Sequence, residues 1–449
     1  MARPKFFRDP VHGQIRYDAV DLGARPRADR TLSSWLARKL IDCPEFQRLR
    51  HIRQNGLTNL VFHGAEHSRF THSMGAAFLA REMLDRIELN MDDPQDPEAR
   101  AAVSAAALLH DLGHGPFSHA LEGACRAAGV ELHHERLSVR MILEDTPVHR
   151  LLGEVDAAFP DRVAAFIDRS RRGADHWTYR LVSSQLDADR LDYMKRDAHN
   201  AGLQGYDFDL PRLVDCLEHV EGKRIAVHRR AMAAVELYLV ALDKLYDSVY
   251  YHHAIRAATV LLESVLQRAA ALLREGDRQV IPSGPRPHPL GALLVSGDQI
   301  GLAQYARLGE YQVWALVDAW RDHADPVLSD LSGRLLDRRL FKTQEFDPLE
   351  YVAAGALVSK AKDLARQALP FLDARTVDHY VRVDEPTRTS YKTYDWRAEA
   401  ADESIWMTGG GRDPGPIENE YGAVVSALKK KRYFHRLVFP QEIREALQR

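Results

Sequence analysis

Apolar residues recur at intervals of three and four along much of this 449-residue chain, in stretches that contain little proline. The clearest of these stretches are residues 75–89, 99–113 and 230–273. Because such spacing puts apolar side chains on one face of a helix, these stretches predict packed helices. With 45% hydrophobic residues the chain can also bury a substantial core. The predicted fold class is therefore mainly α.

A few short segments have strand-like patterns instead. Residues 9–22 form a candidate β-hairpin near the N-terminus, with turn chemistry at His12-Gly13. Residues 222–230 and 434–440 are the clearer strand patterns later in the chain. We therefore expect small β elements beside the helices.

Two stretches rich in proline and glycine interrupt these patterns. Residues 274–300 are interpreted as a connector, and residues 406–422 as a mobile loop or an interaction segment. We therefore expect a helical body over residues 1–273 and a mixed α/β C-terminal lobe over residues 274–449. The second region is a candidate for oligomerisation or regulation.

The charge balance limits the classes of partner. The 61 Lys and Arg residues nearly match the 64 Asp and Glu residues, so no chain-wide basic field favours nucleic acid. A basic run at residues 429–436 is compatible with phosphate contacts, nucleic-acid binding or, most commonly, a solvated helix end. No apolar run approaches the roughly 18 residues of a membrane span, and charges interrupt the N-terminus where a signal peptide is apolar. We expect a cytoplasmic protein without a membrane partner.

The segment HDLGHGPFSH, residues 110–119, follows an alanine-rich helix pattern. A helix through Gly113 would place His110 and His114 on one face, and Asp111 would lie about a quarter turn away. The Gly-Pro pair that follows would end the helix and turn the last histidine back over the site. Imidazole and carboxylate together suit iron, manganese, zinc or magnesium. The alternative is a solvated helix end that happens to be rich in histidine.

Residues of the same types occur upstream and downstream. His72 precedes His110 by 38 residues, and Asp189 follows Asp111 by 78 residues. On a helix, Asp189 would share one face with a tyrosine and an aspartate four and eight residues later. The order of a histidine, a His-Asp pair and a distant aspartate resembles the signature of the HD-domain metal-dependent phosphohydrolases.

Longer blocks extend this resemblance. They are residues 9–15, 41–56, 67–75, 110–122, 133–138 and 186–202. In this order they resemble the deoxynucleoside triphosphate triphosphohydrolase branch, which contains bacterial dGTPase-like enzymes and the vertebrate sterile-alpha-motif/HD enzyme. The resemblance implies an HD-domain helical core within residues 1–273. It also implies hydrolysis of a dNTP to a deoxynucleoside and inorganic triphosphate, with water attacking the α-phosphorus.

The resemblance implies a metal site as well. The residues at the ligand positions are His72, His110, Asp111 and Asp189. Iron, manganese, zinc, nickel or cobalt would occupy such a site, and Mg²⁺ would accompany the triphosphate. A metal there would polarise the phosphate and make water acidic enough to react near neutral pH.

Protonation of the leaving 5′-oxygen needs an acid, and imidazole has a suitable pKa. His119 is the first candidate, with Glu122 as the carboxylate that orients it. The family keeps a second pair, here His134 and Glu135, near the same site. His114 is expected to contact the phosphate.

The substrate contacts implied by the resemblance are of two kinds. Those to the triphosphate are Arg69, Arg190 and Tyr193. Those to the sugar are Gln54 and Asp197 at the 3′-hydroxyl, and Tyr251 where a 2′-hydroxyl would need room. A guanidinium fits phosphate oxygens in a fork, and a tyrosine ring can exclude a ribose hydroxyl by its bulk.

Two positions depart from the family pattern. Asn55 stands where relatives often have leucine, and an asparagine amide can tolerate or bond a hydroxyl. Asp243 stands where relatives place an arginine on the triphosphate, with Lys244 as the nearest substitute. These departures leave the choice between dNTP and NTP open.

Some relatives assemble into tetramers when a guanine nucleotide binds between subunits. Asp42, Gln47 and Arg50 stand at the positions that read the base, and a carboxylate suits the N1 and N2 donors of guanine. Phe6 and Arg8 replace smaller residues beside that site, and the same segment would equally form an ordinary helix. The expected partners are a dNTP, a GTP or dGTP activator and further copies of this chain in a dimer or tetramer.

Three functions remain open at this point. The first is a metal-dependent dNTP triphosphohydrolase, and the second is an HD phosphodiesterase or phosphohydrolase acting on another nucleotide. The third is a nucleotide- or nucleic-acid-binding sensor with little turnover. The intact ligand set and the candidate proton donor argue against the third function, because binding alone needs neither.

Overall fold

The structure, a computed structural model, describes residues 3–24, 31–282, 284–347, 351–388, 391–393, 404–420, 423–428 and 432–449. Its helices are α1 (Leu32–Ile41), α2 (Pro44–Gln47), α3 (Arg69–Met91), α4 (Pro97–Leu109), α5 (His119–Ala127), α6 (His134–Leu143), α7 (Pro147–Gly153), α8 (Phe159–Ile167), α9 (Ala188–Asn200), α10 (Leu210–Asp215), α11 (Met232–Leu245), α12 (His253–Arg274), α13 (Pro289–Ser296), α14 (Leu302–Tyr305), α15 (Glu310–Trp320), α16 (Pro326–Leu336), α17 (Tyr351–Ala368), α18 (Ala423–Leu428) and α19 (Arg444–Gln448). Its strands are β1 (Lys5–Asp9), β2 (Gly13–Tyr17), β3 (Leu217–Val220), β4 (Arg224–His228), β5 (Lys342–Glu345), β6 (Arg382–Asp384), β7 (Thr387–Arg388), β8 (Trp406–Thr408), β9 (Gly415–Pro416), β10 (Arg432–Tyr433) and β11 (Arg436–Phe439). The mainly α prediction is confirmed.

The predicted N-terminal hairpin is present, with β1 and β2 paired antiparallel. In its turn, Asp9 Oδ1 accepts hydrogen bonds from the backbone N–H groups of Val11 and His12, each at 2.9 Å. Gly13 has a φ of +72°, which glycine adopts without steric strain. The turn seats the His12 ring against Phe78 of α3, with the ring centroids 5.3 Å apart.

The helical body is built around α3, which packs against both α4 and α9. Asp96 caps the start of α4 by accepting the N–H groups of Glu98 and Ala99. The rest of α4 is alanine-rich and buried from Ala101 to Leu109. Because its side chains are small, α4 fits closely between neighbouring helices. This packing brings the end of α4 to the middle of the body.

The helix α4 ends at Leu109, not at Gly113 as the sequence pattern predicted. The Gly113 N–H donates to Ser138 Oγ at 2.8 Å, and the Ser138 hydroxyl donates to the His110 carbonyl at 2.9 Å. A Cβ on Gly113 would lie 2.1 Å from a backbone oxygen of α6. Contact with α6 therefore replaces the next helical hydrogen bonds. As a result, His110 and Asp111 lie in a turn beyond the helix end.

The helical pattern at residues 230–273 forms two helices, α11 and α12. A π-helical turn, Tyr246–Tyr250, separates them. A π-helical turn holds one more residue than an α-helical turn, so it changes which side chains face α9. Within the described residues, every helix is too short or too polar to cross a bilayer.

Small sheets complete the structure. The strand patterns at residues 222–230 and 434–440 are confirmed by β4 and β11. The sheet of order β3-β4-β8-β9 includes a parallel pair, β4 with β8, and β11 is the central strand of the sheet β5-β11-β6. The expected connector at residues 274–300 contains α13, and the expected loop at 406–422 contains β8 and β9. The last two residues of that expected loop, 421 and 422, lie outside the described residues, as do residues 429–431 of the basic run.

Candidate functional site

Four metal-type side chains converge where α3, the turn after α4 and the start of α9 meet. His72 Nε2 lies 3.0 Å from Asp189 Oδ1 and 3.6 Å from Asp111 Oδ2. His110 Nε2 lies 3.3 Å from His72 Nε2. The same atom lies 3.3 Å from Asp111 Oδ1 and 3.5 Å from Asp189 Oδ1. The structure thus brings together the four residues selected from the sequence.

The second nitrogen of each imidazole, Nδ1, forms a hydrogen bond outside this centre. His72 Nδ1 lies 2.7 Å from Asp192 Oδ2, and His110 Nδ1 lies 2.8 Å from the Ala107 carbonyl oxygen. Because an ionised carboxylate and a carbonyl can only accept, each Nδ1 donates its proton. Each Nε2 then offers a lone pair to the shared centre. Two imidazole nitrogens and two carboxylates are a donor set that fits a borderline divalent metal.

The carboxylates make this centre favourable for positive charge. Burial lowers the pKa of His72, but hydrogen bonds with Asp189 and Asp192 outweigh it and raise the pKa to about 10. At His110, burial also lowers the pKa, but the charge of the neighbouring Asp111 outweighs it and the pKa rises to about 8. A proton or a metal ion can supply the positive charge, so metal binding competes with protonation here.

Asp192 is the centre of a buried network that the sequence analysis missed. Its carboxylate accepts Arg196 Nε at 2.9 Å and Nη2 at 2.8 Å, and lies 2.6 Å from His12 Nε2. Arg196 also pairs with Asp9 at 3.0 Å. Two residues of the N-terminal hairpin are therefore tied to the carboxylate that orients His72.

The close packing of this network depends on Gly75 of α3. A Cβ at Gly75 would lie 1.9 Å from Asp192 Oδ1 and 2.4 Å from Arg196 Nη2. Only a residue without a side chain lets the carboxylate come this near to α3. The sequence did contain a signal for Asp192, since it follows Asp189 by one helical turn and therefore shares its helix face.

Asp192→Asn is expected to weaken metal binding about 10- to 100-fold, as changes to groups that orient metal ligands generally do. The amide keeps the size of the side chain but loses the charge that holds the Nδ1 proton of His72. Competition with a chelator of known affinity measures the effect. Asp92→Asn is the matched control, because Asp92 is exposed at the left-handed C-terminal cap of α3. Equal metal affinity in both variants would remove Asp192 from this role.

Arg69 lies inside the site. It is 4% exposed, its Nη1 pairs with Asp111 Oδ2, and its Nη2 donates to Ser118 Oγ at 2.8 Å and to the Gln54 carbonyl at 3.2 Å. Burial raises the pKa of Asp111, but the Arg69 charge outweighs burial and holds this pKa well below its usual range. The resemblance assigned Arg69 to the triphosphate, whereas this structure places it on a metal-type carboxylate.

Beside this centre, three histidines gather around Glu122. Glu122 Oε1 lies 2.6 Å from His134 Nδ1, and Oε2 lies 3.2 Å from His119 Nδ1. His114 stacks on His134 with ring centroids 3.7 Å apart, and its Nε2 lies 3.4 Å from Asp111 Oδ1. Burial raises the pKa of Glu122, but hydrogen bonds with His119 and His134 outweigh burial and hold this pKa below its usual range. Glu122 is therefore an ionised acceptor that orients two rings.

A cavity of about 270 Å³ adjoins both groups. Its wall includes the metal-type residues His110, Asp111 and Asp189, and the neighbouring pair His134 and Glu135. The basic side chains in the wall are Arg169, Arg190 and Lys392. Carboxylates, imidazoles and cations in one cavity suit a metal together with a phosphate group. Of these three cations, the family resemblance indicates Arg190 and neither of the other two.

The structure brings Tyr250, a residue that the resemblance did not select, to Asp197. The Tyr250 hydroxyl donates to Asp197 Oδ2 at 2.6 Å, while Asp197 Oδ1 lies 2.8 Å from His67 Nε2. The Tyr251 hydroxyl donates instead to the Thr387 carbonyl at 2.9 Å. Tyr250 is the last residue of the π-helical turn and Tyr251 follows it, and the two hydroxyls have different partners.

The other expected substrate residues lie near this pair. Tyr193 packs edge-on against Tyr250, with ring centroids 6.3 Å apart, and burial raises the pKa of its hydroxyl well above the usual value. Gln54 is 9% exposed. Within the described part of the chain, neither Gln54 Oε1 nor Asn55 Nδ2 has a hydrogen-bond partner. This amide oxygen and this amide nitrogen can therefore form hydrogen bonds with the hydroxyl groups of a ligand.

Asp243 and Lys244 differ in burial on α11. Lys244, the nearest substitute for the arginine that the resemblance implies, is exposed. Asp243 is buried, and it pairs with Arg432 of the basic run at 3.4 Å. Arg432 also donates to Asp247 at 2.9 Å. This part of the basic run therefore forms ion pairs within the chain.

The residues expected to read an activator lie together where α1 meets α2. Gln47 Nε2 donates to the Ile41 carbonyl at 2.7 Å, and Gln47 Oε1 accepts Arg50 Nε at 2.8 Å. The Arg50 guanidinium lies 3.5 Å from the centre of the Phe70 ring. Asp42, the residue after α1, is exposed. The three side chains thus share one surface region.

Comparison with known proteins agrees with this geometry. The HD-domain family model matches residues 69–194, which contain all four metal-type residues. Uncharacterized protein YwfO of Bacillus subtilis is 34% identical, over 99% of this chain and 94% of that protein. Deoxynucleoside triphosphate triphosphohydrolase SAMHD1 of Gallus gallus is 30% identical over 61% of this chain. The match covers 47% of that enzyme's length.

A solved structure has the same fold over the whole chain. A phosphohydrolase from Bacteroides thetaiotaomicron superposes with a TM-score of 0.78 and 26% identity, covering 98% of this chain and all of that chain. A hypothetical protein from Aquifex aeolicus, 21% identical, shares the fold with a TM-score of 0.68 over 99% of both chains. This chain therefore belongs to the HD-domain phosphohydrolases and is similar to their deoxynucleoside triphosphate triphosphohydrolase members.

Proposed function

We propose that this protein hydrolyses deoxynucleoside triphosphates to a deoxynucleoside and inorganic triphosphate in a metal-dependent reaction. The observation that carries the proposal is that one cavity is lined by three of the four metal-type residues, by basic side chains and by His134, which is hydrogen-bonded to Glu122. Hydrolysis of a phosphate ester needs an activated water, neutralised phosphate charge and a protonated leaving oxygen. Similarity to the SAMHD1 triphosphohydrolases supports a dNTP as the substrate.

The metal would be held by His72, His110, Asp111 and Asp189. When bound, a divalent ion supplies Lewis acidity to a phosphate and lowers the pKa of water toward neutrality. Iron, manganese, zinc, nickel and cobalt all accept this mixture of nitrogen and oxygen donors, while Mg²⁺ accompanies the triphosphate. Asp192 and the Ala107 carbonyl keep the two imidazoles oriented.

His119 protonates the leaving 5′-oxygen in this proposal. Its side chain is 73% exposed, so it can regain a proton from solvent after each turnover. Glu122 joins His119 to His134 and can pass a proton between them. His114 is neutral, because burial and the Arg69 charge hold its pKa well below the usual value, and it keeps His134 in place by stacking.

The rest of the substrate meets residues of α9 and of two turns. Arg190 lines the cavity at the start of α9 and neutralises phosphate charge. Asp197 and Tyr250, with the amide oxygen of Gln54, bond the sugar hydroxyls. Asp42, Gln47 and Arg50 bind a guanine nucleotide that favours assembly of several copies. The support for that last role is their shared surface and their hydrogen-bonding chemistry.

The reaction product tests the proposal most directly. Metal-loaded protein incubated with a dNTP is expected to release deoxynucleoside and tripolyphosphate in equal amounts. Because water attacks the α-phosphorus and the bond to the 5′-oxygen breaks, isotopic oxygen from labelled water should appear in the tripolyphosphate. Chromatography with mass spectrometry measures both. If a dNTP alone is inert, the incubation is repeated with GTP and with dGTP.

Other products would identify a different reaction. Release of dNMP with pyrophosphate, or of dNDP with phosphate, would mean that the triphosphate binds in another register. The protein would then be an HD phosphohydrolase acting on another nucleotide. Ribonucleoside triphosphates serve as the matched substrates, since they differ only by the 2′-hydroxyl that Asn55 could bond.

A further inference from the structure

The cavity wall contains a basic residue from the last quarter of the chain. Lys392 lies in the short described segment 391–393, yet it lines the same cavity as Asp111 and Asp189. No HD-family block of the sequence includes this segment, because the family match ends at residue 194. A C-terminal residue therefore contributes to a site whose metal ligands all lie in the first half of the chain.

Two sets of contacts fix the backbone at Lys392. The Lys392 N–H donates to Gln185 Oε1 at 2.6 Å, and Gln185 Nε2 donates to the Lys392 carbonyl at 2.6 Å. Gln185 itself is buried and precedes α9. On the preceding residue, the buried Tyr391 donates its hydroxyl to Glu418 Oε2 at 2.5 Å. The side chain of Lys392 is thus held beside the cavity by the main chain on which it stands.

A second cation comes from the turn after α8. Arg169 lines the cavity, and its Nη2 donates to Ser183 Oγ at 3.3 Å, with Ser183 and Ser184 also in the wall. Together with Arg190, these residues put three cations and two hydroxyl groups around one space. Such a combination is typical of sites that bind several phosphate oxygens at once.

The charge of a triphosphate requires more than one cation here. Arg69 is bound to Asp111 and Ser118. Arg190 alone would leave much of the polyanion without a partner. We propose that Lys392 and Arg169 bind the outer phosphates of the substrate, so that the C-terminal segment completes the active site. This inference rests on the proposed function and names the residues that select a triphosphate.

The test measures binding of inorganic tripolyphosphate to the metal-loaded protein by calorimetry, with Mg²⁺ in excess so that the probe does not remove the metal. Lys392→Ala and Arg169→Ala are each expected to weaken binding about tenfold, while Lys392→Arg restores most of it. Affinity for a dNMP should be unchanged, because a monophosphate does not reach these side chains. In turnover assays KM should rise more than kcat falls, since the contact exists before and during the reaction.

The matched control is Lys223→Ala, an exposed lysine in the turn between β3 and β4. The proposal is overturned if Lys392→Ala binds tripolyphosphate as tightly as this control does. It is also overturned if Lys392→Ala weakens dNMP and tripolyphosphate binding equally, or if the unaltered protein does not bind tripolyphosphate. Circular dichroism of each variant shows whether the fold is kept.

The two proposals can fail separately. A protein that leaves dNTPs intact but binds tripolyphosphate through Lys392 would refute the proposed reaction and keep the phosphate site. A protein that hydrolyses dNTPs normally after Lys392→Ala and Arg169→Ala would keep the reaction and refute the phosphate site. Because tripolyphosphate binding requires no turnover, it distinguishes these results.

Discussion

Replacing His110 and Asp111 together by alanine is expected to abolish both bound metal and hydrolysis. The double variant removes a nitrogen and a carboxylate from the four donors that converge on one centre. The two that remain, His72 and Asp189, cannot hold a divalent ion in place of its water shell. Elemental analysis of the purified protein and assays with dNTPs measure the two losses. A double variant that keeps stoichiometric metal would refute the assignment.

The same substitution leaves Arg69 without the carboxylate that it pairs with, and an unpaired buried charge destabilises a protein. Asp111→Asn is therefore made alongside, because it keeps the shape of the side chain. It is expected to lose most of the metal and to lose less stability than the double alanine variant, because its amide oxygen can still accept a hydrogen bond from Arg69. His63→Ala, which removes an exposed histidine, controls for loss of an imidazole in general and should keep full metal content.

His119→Ala is expected to keep the metal but to lower turnover by about 10²- to 10⁴-fold, the usual effect of removing a general acid. His119 is exposed and lies outside the four-residue centre, so neither metal affinity nor stability should change much. The loss should appear in kcat more than in KM, because protonation matters only in the transition state. Metal analysis and steady-state kinetics of the same preparation are the measurements.

His134→Ala is the companion variant, since both rings bond to Glu122. Near-normal turnover in His119→Ala, with a large loss in His134→Ala, would transfer the acid role to His134. Near-normal turnover in both would mean that water protonates the leaving oxygen. If His119 is the acid and His134 its relay, the two substitutions together should cost little more than His119→Ala alone.

The predictions that the structure confirms depended on patterns local to the chain. Helices were predictable because apolar spacing of three and four is a property of a few consecutive turns. The N-terminal hairpin was predictable from its turn residues. The metal-type residues stand within short blocks whose order resembles a known family, and the structure brings these four side chains within a few ångströms of one another.

The incorrect or missing parts depended on contacts between distant segments. The helix α4 ends early because Ser138 takes the hydrogen bonds of the turn after it. Tyr250, the last residue of a π-helical turn, donates to Asp197, which lies 53 residues away in the chain, so no local pattern indicates the contact.

Local sequence patterns were therefore sufficient to predict the helical class, the hairpin and the types and order of the residues proposed to bind the metal. Tertiary structure alone decided how those residues are oriented and what surrounds them. His12 orients Asp192 from 180 residues away, and Lys392 reaches the cavity through Gln185 from 207 residues away. Such pairs form only when the core packs, and the hydrogen bonds that join them leave no periodic pattern in either segment.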